Sequence, residues 1–391
     1  MESTKELISK EETKSDLWIS FNSEVALLHQ ERRYLLAKRV TKEALRIAEE
    51  KDGASHINLV NPLNYLALLY QSEGKYSEAE SLHMRTLVII KNHCGECNPN
   101  VAAILNNLAK LYKAQYKFEK AEHLLKQAIT ILEKTVGSNH LYFALSLNSM
   151  ASLYKAQGKY YEAESLLKQA LVILEGALNK SHPNIILVHT NLAGLYLVME
   201  KYTEAEQLFK MTIEITEKIF GANHQSLATN LNNLGVLYKI QGKYSEAEQL
   251  YKSSLTILEK SWGYYHSKVA TPLNNLAGLY LAQGKYGQVE SLVKQSLEIR
   301  EKALGMDHPN LAVILENMAS FYKRVDNHKE VNRLLDRAKR IRLKKQLNEL
   351  NPTMDLHEIP SSQPPLARLA SDGQPALRKI KSLTLLSFNL E

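Results

Sequence analysis

Residues 226–261, SLATNLNNLGVLYKIQGKYSEAEQLYKSSLTILEKS, hold the architecture of the whole chain in miniature. In the first half, Leu231, Leu234, Leu237 and Tyr238 recur at three- and four-residue steps, the period of an amphipathic helix. Gln241-Gly242-Lys243 breaks that pattern. Gly242 can take the left-handed conformation that ends a helix, where a Cβ would be costly. Tyr244, Ala247, Leu250, Tyr251, Leu255 and Leu258 then mark one face of a second helix. The unit is therefore helix–turn–helix, and helices of about 17 residues are each roughly 26 Å long.

The same unit returns at a fixed step. A Leu/Phe-Tyr pair recurs every 42 residues, at Tyr70, Tyr112, Tyr154, Tyr196, Tyr238, Tyr280 and Tyr322. A period of this size marks a stacked repeat array. Neither helix of a hairpin can bury its apolar stripe alone, so each hairpin must pack on its neighbours. The small Ala247 has copies at Ala79, Ala121, Ala163 and Ala205, where lack of bulk lets paired helices approach. Hairpins are expected at 58–92, 100–134, 142–177, 184–219, 226–261, 268–303 and 310–350. Counting back 42 residues from Tyr76 and Ala79 gives Tyr34 and Ala37, so residues 15–50 read as an eighth, degenerate hairpin. In the last unit Asp326-Asn327-His328 replaces Gly-Lys-Tyr and a long basic helix follows. Both ends read as caps. The expected organisation is a flexible 1–14, an all-α solenoid over 15–350 and a separate tail, 351–391.

Composition agrees with this reading. The 391 residues are 45% hydrophobic, enough for a packed interior, and Gly and Pro are too few for a fibrous or wholly disordered chain. The start, MESTKELISKEETK, has no apolar segment behind its charges, and no stretch of about 18 apolar residues suggests a membrane span. With only two cysteines, a reducing, cytoplasmic setting is the expectation. The formal charge of +7 is concentrated: residues 329–350 carry eight basic side chains against three acidic ones. The simplest reading of that helix is a solvated cap; the alternative is a patch for an acidic partner or nucleic acid.

The residues LNNLAGLYLAQGKYGQVESL at 273–292, with their copies, resemble the tetratricopeptide repeat. The 42-residue spacing and linkers such as Gly305-Met306-Asp307-His308-Pro309 are similar to the kinesin light chain type over about residues 58–323. That resemblance implies a right-handed α-α superhelix whose first helices line a groove for extended peptides. Kinesin light chains also carry a heptad coiled coil before the repeats, which is not evident in residues 1–14.

Several motifs invite chemistry and have plainer explanations. His56, His140, His182, His224, His266 and His308, with Asn98 in the seventh place, share one linker position. Equivalent atoms in stacked repeats lie on the order of 10 Å apart, too far for one metal ion with bonds of about 2 Å. Pro99, Pro183 and Pro309 follow directly, which suits the first turn of a helix. Helix capping is the expected role. Cys94-Gly95-Glu96-Cys97 is a lone CxxC in an inter-repeat loop, lacking the second pair that zinc needs and the strand that redox versions use. The repeated tyrosines are expected in the core, and the Glu-Ala-Glu pairs diverge on their helix. No phosphate loop or nucleophile elbow is present. Neither an enzyme nor any cofactor or metal is expected.

Asparagine inside a helix needs a cause, because it is a poor helix former. Five residues before each defining tyrosine stand Asn107, Ser149, Asn191, Asn233, Asn275 and Asn317; one residue earlier stand Asn106, Asn148, Thr190, Asn232, Asn274 and Glu316. One row is expected to bond the adjacent repeat and the other to clamp a peptide backbone, since an amide offers both donor and acceptor. The resemblance implies that the row five before the tyrosine is the clamp, joined by positions two before and one after it. Those positions hold Lys110, Ser152, Gly194, Val236, Gly278 and Ser320, then Lys113, Lys155, Leu197, Lys239, Leu281 and Lys323. The candidate groove is therefore Asn107, Lys110, Lys113, Lys155, Asn191, Asn233, Lys239, Asn275, Asn317 and Lys323, lysine-rich at one end and more apolar near Leu197, Val236 and Leu281.

The expected function is a non-enzymatic scaffold or adaptor that binds an acidic, partly apolar segment of a partner. No small-molecule substrate is expected, and nucleic acid is not favoured. Alternatives are a light-chain-like cargo adaptor of a motor, or a regulator or secreted effector using the basic helix or the CxxC. The tail holds five prolines and is expected to be mostly disordered, ending in an apolar Leu383–Leu390 that could dock, serve secretion or occupy the protein's own groove.

Overall fold

The computed structural model describes residues 34–72, 75–308 and 310–350. Expectations for 1–33 and for the tail lie outside the described residues, as does Pro309. Among the described residues the chain is helical without strands. It divides into two compact units, one reaching to Lys268 and one beginning at Val269.

The first unit opens with α1 (Tyr34–Asp52), the second helix of the degenerate hairpin, starting at the tyrosine that the 42-residue count indicates. Five hairpins follow: α2 (Val60–Ser72) with α3 (Tyr76–Cys94), α4 (Pro99–Ala114) with α5 (Phe118–Thr135), α6 (Leu141–Ala156) with α7 (Tyr160–Ala177), α8 (Pro183–Val198) with α9 (Tyr202–Phe220), and α10 (Gln225–Ile240) with α11 (Tyr244–Trp262). The second unit contains α12 (Ala270–Ala282) with α13 (Tyr286–Leu304), and α14 (Asn310–Arg324) with α15 (His328–Leu350). The helix boundaries fall within two residues of the expected ones.

Local chemistry sets those boundaries. His56, His140, His182, His224 and His266 each accept at Nδ1 from the backbone N–H two residues on, at 3.2–3.3 Å, and Asn98 does the same through Oδ1. These side chains satisfy one of the donors that every helix start leaves open. Pro99 and Pro183 occupy the first turn, where no donor is required. Between paired helices the chain turns at Gly158, Gly242 and Gly284, all with φ of 72° to 79°. Tyr116, Glu200 and Asp326 adopt the same left-handed geometry without being glycine.

Packing is continuous along each stack. In the first unit one apolar cluster runs from Ala79 to Leu195, built from Leu105, Leu108, Leu147, Leu167, Leu171 and Leu192 among others. Second helices rest on the first helix of the next hairpin, and first helices also touch: α4 with α6, α6 with α8, α8 with α10 and, in the second unit, α12 with α14. That lateral contact brings the polar stripes of successive first helices side by side.

The defining tyrosines differ from a plain core residue. Their rings pack inward, but four hydroxyls donate to the glutamate at the fifth residue of the preceding hairpin's second helix: Tyr112 to Glu80 at 2.7 Å, Tyr196 to Glu164 at 3.2 Å, Tyr238 to Glu206 at 3.1 Å and Tyr322 to Glu290 at 2.8 Å. A lysine from the following turn covers three of these rings, Lys117 over Tyr112 at 5.7 Å, Lys201 over Tyr196 at 5.0 Å and Lys243 over Tyr238 at 4.8 Å. Glu164 also pairs with Lys168 and Lys201, and these cations hold its carboxyl below the usual range against its burial. The junctions at Tyr112, Tyr196 and Tyr238 are thus tied by Tyr–Glu–Lys clusters that an apolar periodicity does not reveal.

Candidate functional site

Besides a bond from Asn106 to Oγ of Ser146 at 2.7 Å, the polar stripe of the first helices contains two kinds of lateral bond. Asn107 donates Nδ2–H to Oδ1 of Asn64 at 3.0 Å, Asn191 to Asn148 at 2.8 Å and, in the second unit, Asn317 to Asn274 at 3.4 Å. The residue five before one tyrosine therefore bonds the residue six before the previous one. At these three junctions both rows take part in lateral bonding, where one row was expected to. Steric reach explains it, since an amide side chain spans the gap between adjacent first helices. A hydroxyl does not, so Ser149 donates to the Leu145 carbonyl of its own helix and Thr190 to that of Ile186.

The second kind of bond runs the other way along the stack. Lys113 donates to Oγ of Ser152 at 2.7 Å, from the position after one tyrosine to the position two before the next. Lys155 follows the same register, its ammonium 3.5 Å from where a Cβ on Gly194 would stand.

The Asn191–Asn148 and Lys113–Ser152 bonds border a pocket of about 160 Å³ within the first unit. Lys110 and Lys113 of α4, Asn148, Ser149 and Ser152 of α6, and Asn191 of α8 supply its polar wall. Ala109, Leu125, Leu153 and Leu187 supply the apolar part. No carboxylate and no arginine line it. Burial lowers the pKa of Lys110 from its ordinary value, although its own surface is exposed, because the pocket walls displace water from around it. Lys155 falls further, to about 8, first through burial and then through repulsion from Lys113. Lys239 on α10 is lowered to about 8 by burial.

Of the expected groove residues, Lys110, Lys113 and Asn191 share this pocket, and Lys155 adjoins it through Gly194 and Lys113. Asn107 stands one turn before Lys110 and holds Asn64. Asn233 and Lys239 lie on α10, Asn233 being only 4% exposed. Asn275, Asn317 and Lys323 hold the same register positions in the second unit, Asn275 buried, Asn317 half-buried and Lys323 exposed. The expected apolar end is corrected at two positions, for Leu197 and Val236 are packed away at 4% and 6% exposure. Leu187, 46% exposed, supplies the open apolar surface instead. It lies seven residues, two helical turns, before Gly194, so extending the stripe by two turns would have found it.

The other candidate chemistries resolve differently. Basic side chains of α15 are paired by its neighbours: Arg337 bonds Glu301 of α13 and the Met306 carbonyl, Lys344 pairs with Asp307 of the linker, and Arg342 pairs with Glu316 of α14. That helix is held as a cap. Cys94 and Cys97 are exposed free thiols. Among the described residues no three His, Cys, Asp or Glu side chains converge as a metal site, and no helix is long and apolar enough to cross a membrane.

A stack of two-helix repeats with a polar pocket between its first helices defines a helical-repeat scaffold for protein interactions, a class generally without enzymatic activity. The sequence profile described as the tetratricopeptide repeat matches residues 61–134, 100–176, 142–197, 184–260 and 268–344, and the chain belongs to that family. Among solved structures it is similar to the apo form of RapI, at 16% identity and a TM-score of 0.52 over 74% of this chain and 99% of that one. BtubC (BKLC) from P. vanneervenii gives 22% identity, a TM-score of 0.46 and coverage of 64% and 96%. A Podosopora anserina protein titled a putative kinesin light chain, with nearly identical TPR-like repeats, gives 27%, 0.41, and 52% and 97%. No curated protein sequence matches significantly.

Proposed function

We propose that the first helices of the first unit form a groove for an extended, acidic segment of a partner protein. The observation that carries this reading is the pocket between α4, α6 and α8, which presents Lys110, Lys113, Ser152 and amide groups with no carboxylate to oppose them. Leu187 and Leu153 offer an apolar seat beside those charges. Asn191 gives its N–H to Asn148 and keeps an acceptor oxygen for a passing backbone N–H. In the second unit, Asn275, Asn317 and Lys323 are proposed to serve in the same register.

The test uses a pool of acidic peptides carrying one Leu or Trp anchor. Each groove hydrogen bond contributes about 0.5–1.5 kcal/mol net, so Asn191→Ala with Asn233→Ala should weaken the pool severalfold or more. Binding should also fade as pH rises through 8, where Lys155 and Lys239 lose their charge. Hairpins that melt at lower temperature while affinity for the pool stays unchanged would make the asparagines ladder residues only.

A further inference from the structure

The donors in the pocket outnumber what a carboxylate can use. Asn148, 6% exposed, accepts from Asn191 through Oδ1, so its amide N–H2 is the end left for a ligand. Ser152 accepts from Lys113 and retains its own O–H as a donor. Lys110 and Lys113 line the same space, and Lys155 adds a third ammonium close enough to Lys113 for the two charges to repel. Two lining ammonium groups, a third beside them and two neutral donors are therefore held by α4 and α6 around one small volume that α8 closes.

Charge and geometry together select among anions. A carboxylate brings one negative charge and two oxygens in a plane, a shape that the fork of arginine matches and the point charge of lysine does not. No arginine lines this pocket. A phosphate monoester brings a charge of about −1.5 to −2 and three tetrahedral oxygens, which suits lysines arriving from separate helices. We propose that the pocket between α4, α6 and α8 receives a phosphoryl group, carried on a phosphorylated serine or threonine of the partner segment. This rests on the peptide-groove reading for its source, while the anion chemistry stands on the pocket alone. Phosphorylation of the partner would then switch its binding on, with Leu187 seating a neighbouring apolar side chain.

The experiment compares three degenerate peptide pools that differ only in a central phosphoserine, glutamate or serine, retained on the full-length protein. Line broadening of the phosphorus resonance of inorganic phosphate is recorded alongside, in wild type, Lys113→Met/Lys155→Met and Lys155→Arg. The phosphoserine pool should be retained at least about tenfold over the glutamate pool, a difference of about 1.4 kcal/mol. The double methionine variant should lose that preference and Lys155→Arg should keep it, with unchanged melting by circular dichroism. Retention of the glutamate pool as strong as that of the phosphoserine pool overturns the proposal. So does a preference that survives the double variant, or the absence of both pool retention and phosphate broadening. Broadening of inorganic phosphate that needs Lys113 and Lys155, without retention of any pool, would keep the anion site and remove the peptide groove.

Discussion

Gly235 gives the sharpest test of the packing. Its counterparts in the other repeats are all alanine: Ala67, Ala109, Ala151, Ala193, Ala277 and Ala319. A Cβ built on Gly235 would stand 2.7 Å from Cε1 and 2.9 Å from Cδ1 of Tyr251, distances that carbon atoms do not sustain. Tyr251 is fully buried and its hydroxyl has no hydrogen-bond partner. The corresponding positions hold Leu125, Leu167, Phe209 and Val293. Phe209 keeps alanine, Ala193, at the matching position, so it is the placement of the Tyr251 ring against α10, and not ring size alone, that goes with the missing methyl. Alanine in a helix interior ordinarily stabilises over glycine by about 0.5–1 kcal/mol. Overpacking a rigid core costs about 1–3 kcal/mol. Gly235→Ala should thus destabilise the α10–α11 hairpin by about 1–2 kcal/mol. Tyr251→Leu alone opens a cavity and should also destabilise. Together the two recreate the Ala109/Leu125 pairing, so the double variant should recover, with a coupling of about 2 kcal/mol. Urea unfolding followed by circular dichroism reads the total, and amide exchange in α10 and α11 reads the hairpin, since repeat arrays open locally. A Gly235→Ala protein more stable than wild type, or single effects that simply add, would refute the reasoning.

Two further outcomes follow from buried or strained groups. His83 is fully buried with neither ring nitrogen bonded, and burial pushes its pKa from 6.5 down to about 4. The folded state then holds fewer protons than the unfolded one below pH 6.5. The stability of the α2–α3 hairpin should be complete above that pH and fall by up to about 1.4 kcal/mol per unit toward pH 4. His83→Leu, which matches Leu125 and Leu167, should flatten this slope in exchange measurements; an unchanged slope would assign it elsewhere. Glu200 and Tyr116 occupy left-handed turn positions that Gly158 and Gly242 fill in their own repeats. Glu200→Gly should therefore stabilise the α8–α9 hairpin by about 1 kcal/mol, seen as a higher urea midpoint.

The stripe defined by positions five before, two before and one after each tyrosine was legible because helical periodicity assigns residues to faces. It picked out Lys110, Lys113 and Asn191 as neighbours across helices that are 42 residues apart in each step. It did not reveal that Asn191 engages Asn148, nor that Leu197 and Val236 are covered while Leu187 is open. Those facts depend on how closely adjacent first helices approach, and a sequence period carries no information about that distance.

The same division holds for the whole chain. By itself the sequence determines the helices, their turns, the histidine caps and the order of stacking, because each is a local or strictly periodic consequence of residue type. The tyrosines that mark the period show where this stops, since their hydroxyls bond glutamates 32 residues earlier. Only the tertiary structure decides which side chains meet across repeats: the Tyr–Glu–Lys ties, the amide ladder, the Gly235–Tyr251 fit and the lysine pocket. Each arises where two helices converge, and side-chain length against interhelical distance, a quantity of the packed state, decides the contact.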